Sequence, residues 1–437
     1  MALAICAALG VSCNAVAAGA FSADSKWMTG DWGGLRSELL EKGIDIQAGY
    51  TGEAAANLHG GYSNNHTTRY ADQFTLGTAI DLQKLAGWND TQFMVQLTNR
   101  NGSSLNDKNI SDPRAGSFSY IQEVYGTGSV TRLSELWLSK GFFDSALNVK
   151  VGRFSFGDEF GVEDCLFQNL AFCGPQTGNW VDVTYNSPLS TWAARIKYKF
   201  NDQVYAQIGA YNINPNYADN NNALKLRTSG TEGTLVPVEV VWTPTVNELP
   251  GEYHVGYYYS SANADDLYKD SNNHVAALTG EDYRSDTSRH GWWVTGKQQL
   301  TTLDGDAARG LTVYADVAAY DEATTAIANY QKVALVLKGP FASRPDDSIG
   351  FAVARLESSK QSLRNAKATN VASGITEYDD PDYLPEQRTE YNYELNYGFQ
   401  LTQWLNVRPN LQYIVHPGGV NEVQNAFVAG LQVQSVF

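Results

Sequence analysis

The chain has 437 residues, a formal net charge of −16, 43% hydrophobic residues and a mean hydropathy of −0.34, so it can bury a large core, while disorder, collagen and a bundle of membrane helices are excluded. Aromatic residues (Tyr 25, Trp 10, Phe 17) beside Gly 39 and only Pro 13 point to many strands joined by polar turns, an all-β protein. The acidic balance, without Lys and Arg clusters, sets nucleic-acid partners aside.

Residues 1–20, MALAICAALGVSCNAVAAGA, are predicted to be a signal peptide: small and apolar, ending in Ala-Val-Ala and Ala-Gly-Ala, although no Lys or Arg precedes Lys26. Residues 21–43 form an N-terminal segment whose GDWGGLRSELLEKG predicts one short helix, with Leu35 and Leu39 one turn apart and Gly43 at C′. From residue 44 to 437 the pattern changes to a period of two, and no further helix is predicted. The clearest run sets Tyr391, Tyr393, Leu395, Tyr397, Phe399 and Leu401 against Glu390, Asn392, Glu394, Asn396, Gly398 and Gln400.

Alternation alone does not separate a soluble sandwich from a membrane barrel with a polar interior. Connector length does. Sixteen strands are predicted, near 44–57, 69–83, 91–100, 131–141, 147–155, 189–200, 203–213, 233–243, 252–260, 289–300, 310–321, 328–338, 348–357, 388–401, 404–415 and 424–437. Long connectors (58–68, 101–130, 156–188, 214–232, 261–288, 358–387) then alternate with shorter ones, while 322–327 and 416–423 depart from the rule. Even parity requires WVDVTYN, 180–186, to belong to the third long loop. Long loops on one rim and tight turns on the other describe a sixteen-stranded antiparallel transmembrane β-barrel of the bacterial outer membrane, with long extracellular loops and a short periplasmic helix. No stretch of 18 apolar residues follows the signal, so a helical span is not proposed.

Removing the signal leaves Cys165 and Cys173, which in an exported chain read as a disulfide closing a short loop or, alternatively, as two buried thiols. Aromatic residues near strand ends, Trp292, Tyr257, Tyr259, Tyr391 and Trp404, read as interfacial girdles or as core packing. The Asp-rich pieces at 265–270, 304–306 and 379–382 lack the spacing of a calcium loop and read as solvated loops, with calcium or divalent bridging to lipopolysaccharide as the alternative. The six histidines form no HExxH and no GxSxG is present, so no metal or cofactor is called for. The terminal VAGLQVQSVF, ending in Phe437, resembles the signal by which the barrel-assembly machinery recognises outer-membrane proteins.

The opening GDWGGLRSELLEKGIDIQAGYTGE and the stretch YIQEVYGTGSVTRLSELWLSKGFFDSALNVKVGRFSFGDEF resemble the carbohydrate-selective porins of the OprB type, and the likeness runs the length of the mature chain. The resemblance implies a monomeric channel in outer-membrane lipid, passing small sugars, chiefly glucose-like monosaccharides, by passive diffusion through a constriction made by the second and third extracellular loops. In that family an arginine ending the third strand, a glutamate and a second arginine in a QExYGRG motif line the constriction. Arg100 and Glu123 match the first two; Thr127 stands in the place of the second arginine, and Arg132 is the candidate substitute. Arg100 also shares the polar face of its strand with Gln92, Gln96 and Thr98. The other reading of Arg100 and Glu123 is a solvated ion pair.

A sugar is a ring of hydroxyls, each donor and acceptor, so a pore that strips its water must return both kinds of hydrogen bond, which Arg and Glu together supply. Trp180 and Trp137 read as covers for the apolar face of a pyranose or as packing. Arg153 falls in the apolar row of its strand with Val149 and Val151, and either a bulge turns it or it snorkels to the rim. A general porin with a less positive constriction is the alternative function, and an outer-membrane glycosidase a more distant one.

Overall fold

The computed structural model describes residues 19–437 except 127, 176, 182, 184 and 287. Thr127 and most of the predicted signal segment therefore lie outside the described residues. Sixteen long strands form the barrel: β1 (Ile44–Gly61), β2 (Thr68–Asp81), β3 (Thr91–Gly102), β4 (Val130–Phe142), β5 (Leu147–Phe154), β6 (Thr191–Lys199), β7 (Val204–Ile213), β8 (Gly233–Trp242), β9 (Leu249–Ser260), β10 (Arg289–Gln299), β11 (Gly310–Tyr320), β12 (Ile327–Lys338), β13 (Ser348–Ser358), β14 (Thr389–Thr402), β15 (Leu405–Val415) and β16 (Gln424–Val436). Each pairs antiparallel with its neighbours in sequence, and β16 closes on β1 from Gly49↔Val436 to Gly61↔Gln424, which leaves no free edge. A two-residue strand, Thr245–Val246, adds only to the start of β9.

The observed ends fall within four residues of the predicted ones, because the alternation that defines each strand is imposed by two unlike surroundings. Along β14, Leu395 is 50% exposed on the outer wall, while Glu394 beside it is 1% exposed and faces the interior. A soluble sandwich would invert that pair. Trp292, Tyr257 and Tyr259 also point outward, as a girdle requires, whereas Trp404 is covered by the N-terminal segment.

At the periplasmic rim the predicted helix is present as α1 (Leu35–Glu41). Asp31 accepts from the Ser37 amide at 2.9 Å ahead of it, and Gly43 beyond its end takes the left-handed φ of +88° that a side chain would resist. Arg36 of α1 donates to the carbonyls of Phe437 at 2.6 Å and Ile46 at 2.7 Å beneath the Trp27 ring, tying the segment across the seam.

The expectation of no helix beyond Gly43 is corrected by the structure. The loop 359–388 contains α2 (Lys360–Ser373), capped by the Ser359 hydroxyl, which accepts from the Gln361 amide at 3.1 Å, and stopped by Gly374 at φ +69°. A five-residue helix, Leu82–Ala86, occupies the turn after β2, and a short hairpin, Ala264–Asp270 with Tyr283–Asp286, stands in the loop after β9.

Candidate functional site

Two long extracellular loops, 103–129 and 155–190, fold back into the barrel. Inward-facing Tyr211, Tyr258, Trp293 and Tyr330 pack against Phe156, Phe160, Phe167 and Phe172 of the second loop, so part of the lumen is filled by an aromatic core.

Arg100 sits at the extracellular end of β3, opposite Gln73 of β2, and points inward with Thr98. Its Nε donates to Gln73 Oε1 at 2.7 Å and its Nη2 approaches the Ser187 carbonyl at 3.5 Å. A Cβ added to Gly126 would lie 3.7 Å from Nη1, so the guanidinium abuts both loops. Glu123 of the first loop lies near enough for the two charges to act on each other. Burial raises the Glu123 carboxyl above the ordinary carboxylate range, and the Arg100 charge pulls it part of the way back.

Glu123 is positioned by its neighbours. Its amide donates to the Gln168 carbonyl at 2.9 Å, joining the two loops. Glu53 of β1, fully buried, accepts from the Val124 amide at 3.3 Å and from Gln432 Nε2 at 2.8 Å, while Gln122 Nε2 donates to the Glu53 carbonyl at 2.8 Å. Glu53 belongs to the polar face of its strand, but nothing in the local pattern marks its role, which depends on a loop some seventy residues away.

The second loop is laced to the far wall by charges. The two carboxylate oxygens of Glu394 accept from the amides of Gln168 at 3.1 Å and Asn169 at 2.9 Å. Glu239 accepts from the Gly161 amide at 2.8 Å, and Glu159 pairs with Lys150 at 2.8 Å and Arg195 at 2.7 Å. Burial opposes ionisation of Glu159, yet those two cations hold its carboxyl below the usual range. Lys332 joins Glu163 of the loop to Asp316 of β11, with Asp316 at 2.8 Å. Burial, with Asp316 beside it, pushes Glu163 up to about 8 although Lys332 opposes the shift.

The structure places Arg100, Glu123 and Arg132 near one another and the other described candidates elsewhere, while Thr127 lies outside the described residues. Arg132 is buried, its guanidinium donating to the carbonyls of Tyr217 at 3.0 Å and Ala218 at 2.9 Å and to Asn220 Oδ1 at 2.6 Å, so it anchors the loop 214–232. Trp180 packs: it stacks on Tyr330 with centroids 4.9 Å apart and donates to the Gly174 carbonyl at 3.1 Å. Trp137 lies under the Lys150 ammonium at 4.0 Å. Arg153 reaches the rim, where it donates to the Lys225 and Ser190 carbonyls at 2.5 and 2.6 Å over the Tyr217 ring. Cys165 and Cys173 are bonded, their Cα atoms 4.5 Å apart, within the part of the loop that carries Gln168 and Asn169. The Asp-rich loops are spent on themselves: Asp266 pairs with Arg284 at 2.8 Å and Asp304 with Arg309 at 3.1 Å.

An arginine and a glutamate near one another supply donors and acceptors that can bind hydroxyls reversibly, and no cluster of metal ligands occurs among the described residues. Residues 65–437 match the model of the carbohydrate-selective porin family, OprB. The chain is 52% identical over 433 residues to porin B of Pseudomonas aeruginosa, covering 98% of this chain and 95% of that protein. It is 40% identical over 426 residues to a putative porin, QuiX, of Acinetobacter baylyi, covering 95% of this chain and 94% of that one. The fold superimposes on the high-pH structure of Pseudomonas putida OprB with a TM-score of 0.95 and 54% identity, over 96% of this chain and 100% of that one. A barrel that is oily outside and polar within, entered by two long loops and matched along nearly its whole length, belongs to the OprB family of carbohydrate-selective porins and is a sugar channel of the bacterial outer membrane.

Proposed function

We propose that the channel passes small neutral sugars, glucose-like monosaccharides above all, down their concentration gradient, using Arg100 as the fixed donor and Glu123 as the acceptor. The observation that carries this reading is the approach of the Arg100 guanidinium to both inserted loops, with Gln73 holding its Nε. The site returns both kinds of hydrogen bond to a dehydrated sugar without gripping it, which transit requires. No turnover chemistry is assigned, and a chromogenic glycoside should remain uncleaved. The chain acts as a monomer in outer-membrane lipid with lipopolysaccharide around it, and Phe437 serves the barrel-assembly machinery during insertion.

Liposome swelling with glucose, a disaccharide and an amino acid in parallel tests the reading. Glucose should enter fastest. Equal rates for all three would favour a general porin, a second reading that Thr127 supports by replacing a cation of the family motif with a neutral side chain.

A further inference from the structure

The lipid-facing wall is not uniformly convex. Across β4 to β7 it carries an apolar trough of about 560 Å³, flanked by Leu136, Val151 and Trp192, with Gly152, Ala193 and Ala210 along its floor. Gly152 creates the dent: its φ is +142°, and a Cβ there would sit 2.3 Å from the Leu136 carbonyl oxygen and 2.6 Å from Trp137 Cα. At its extracellular end the trough runs under the loop 214–232. Trp192 Nε1 donates to the Leu226 carbonyl at 3.2 Å, and Asn212, also lining the trough, donates to Thr231 Oγ1 at 2.8 Å.

That loop is built for an interface. In Leu224-Lys225-Leu226-Arg227 the leucines are 58% and 48% exposed, and both cations are exposed between and beside them. Among the described residues neither cation is paired with a carboxylate; Lys225 Nζ only meets Asn222 Oδ1 at 3.0 Å. Arg284, Lys367 and Arg388 of the other extracellular loops, by contrast, each have an acidic partner. Lys225 and Arg227 share a polar cup of about 180 Å³ with Asn214, Asn216 and Asn222, whose amide nitrogens donate to carbonyls of the loop itself and so stiffen it around the two cations.

We propose that the trough and cup together form a seat for a phosphorylated glycolipid of the outer leaflet, of the lipid A type. An acyl chain lies in the trough and the phosphates of the head meet Lys225 and Arg227. Two exposed cations two residues apart suit a head carrying two phosphates, as lipid A does, better than the single phosphate of a plain phospholipid. The inference deepens the contact with lipopolysaccharide proposed above and is independent of which solute the pore passes.

The test titrates the detergent-purified barrel with lipid A and, in parallel, with phosphatidylglycerol, reading retained lipid by native mass spectrometry. Wild-type protein should retain lipid A in preference to phosphatidylglycerol. K225E/R227E should weaken lipid A retention ~10-fold or more, and A210F, which fills the trough without touching the cations, should also weaken it. Heat-modifiable mobility establishes that each variant is folded, and glucose-driven liposome swelling should be unchanged in both. Equal retention by wild type and both folded variants overturns the proposal, as does phosphatidylglycerol binding as tightly as lipid A. A failure of glucose selectivity alone would strike the solute reading and leave this one standing.

Discussion

Arg100 is a fixed donor because Gln73 and two loops hold it, and Glu123 is the carboxylate of the first inserted loop that its charge acts on. Replacing it by glutamine removes a full charge while keeping a donor, so R100Q should lower glucose flux several-fold and shift single-channel ion selectivity toward cations. T127R should move selectivity the opposite way and speed entry of anionic sugars relative to glucose; unchanged selectivity and conductance in planar bilayers would remove Thr127 from the account. Glu123 adds a pH dependence. Because burial raises its carboxyl, its charge is lost on acidification before that of an exposed glutamate, so cation preference should decline as pH falls through that raised value and E123Q should be flat across the same range. At this scale the register of the polar face and the motif made Arg100 and Glu123 legible. Glu53 was not, since what it holds arrives from the loop at Val124. Arg132 stands five residues after Thr127 in the sequence, yet its donors go to the 214–232 loop, a partner that no local pattern names.

The loop 155–190 sets the width of the opening, and its anchors differ in kind. Glu394 makes two charge-assisted bonds to successive amides, worth about 1.5–3 kcal/mol each. The Cys165–Cys173 bond spans a separation of 8 residues and removes about 2–3 kcal/mol of local chain entropy. The amide clamp ties the loop to the wall and the disulfide only ties it to itself. E394A should therefore widen the channel and raise the disaccharide-to-glucose swelling ratio, whereas C165S/C173S should leave that ratio nearly unchanged. A third anchor is the Lys332 ammonium between Glu163 and Asp316. K332M strands two buried carboxyls and should cost about 3–5 kcal/mol, seen as a lower temperature of heat modification. With Glu163 raised to about 8, the folded state holds a proton that the unfolded chain gives up near pH 4 to 5, so this contribution to stability is full at low pH and lost as pH rises through about 8. Wild type should lose heat resistance from about pH 5 to about pH 8 and level off above it, and E163Q should lose less. Strands were legible at this scale because lipid and lumen enforce a period of two. Helix α2 was not: its sequence, KQSLRNAKATNVAS, has no broad apolar stripe, and only Ala366 and Asn370 are buried, although Ser359 and Gly374 carried cap signals at its two ends.

Closure of the whole barrel is the feature furthest from any local pattern, since β1 and β16 meet only when the other fourteen strands are in register. The seam gains little from apolar burial, because its outer face sits in lipid in any case, so backbone bonds and the N-terminal segment carry it. That segment makes three kinds of contact across the rim: the Met28 amide donates to the Val436 carbonyl at 2.8 Å, Trp404 Nε1 to the Ser22 carbonyl at 2.9 Å, and Arg36 to Phe437 and Ile46. The Arg36 bonds are charge-assisted and lie under a tryptophan, which limits replacement by water, so R36A should cost about 2–3 kcal/mol rather than the sum of two full bonds. The measurement is the temperature at which the barrel converts to its slower or faster unfolded gel form, which should fall for R36A. Arg36 sits at the periplasmic rim and Arg100 at the other end of its strand, so glucose swelling should be unaltered in the same variant. A loss of sugar passage without loss of heat resistance would mean that the N-terminal segment acts on the pore and not on the seam.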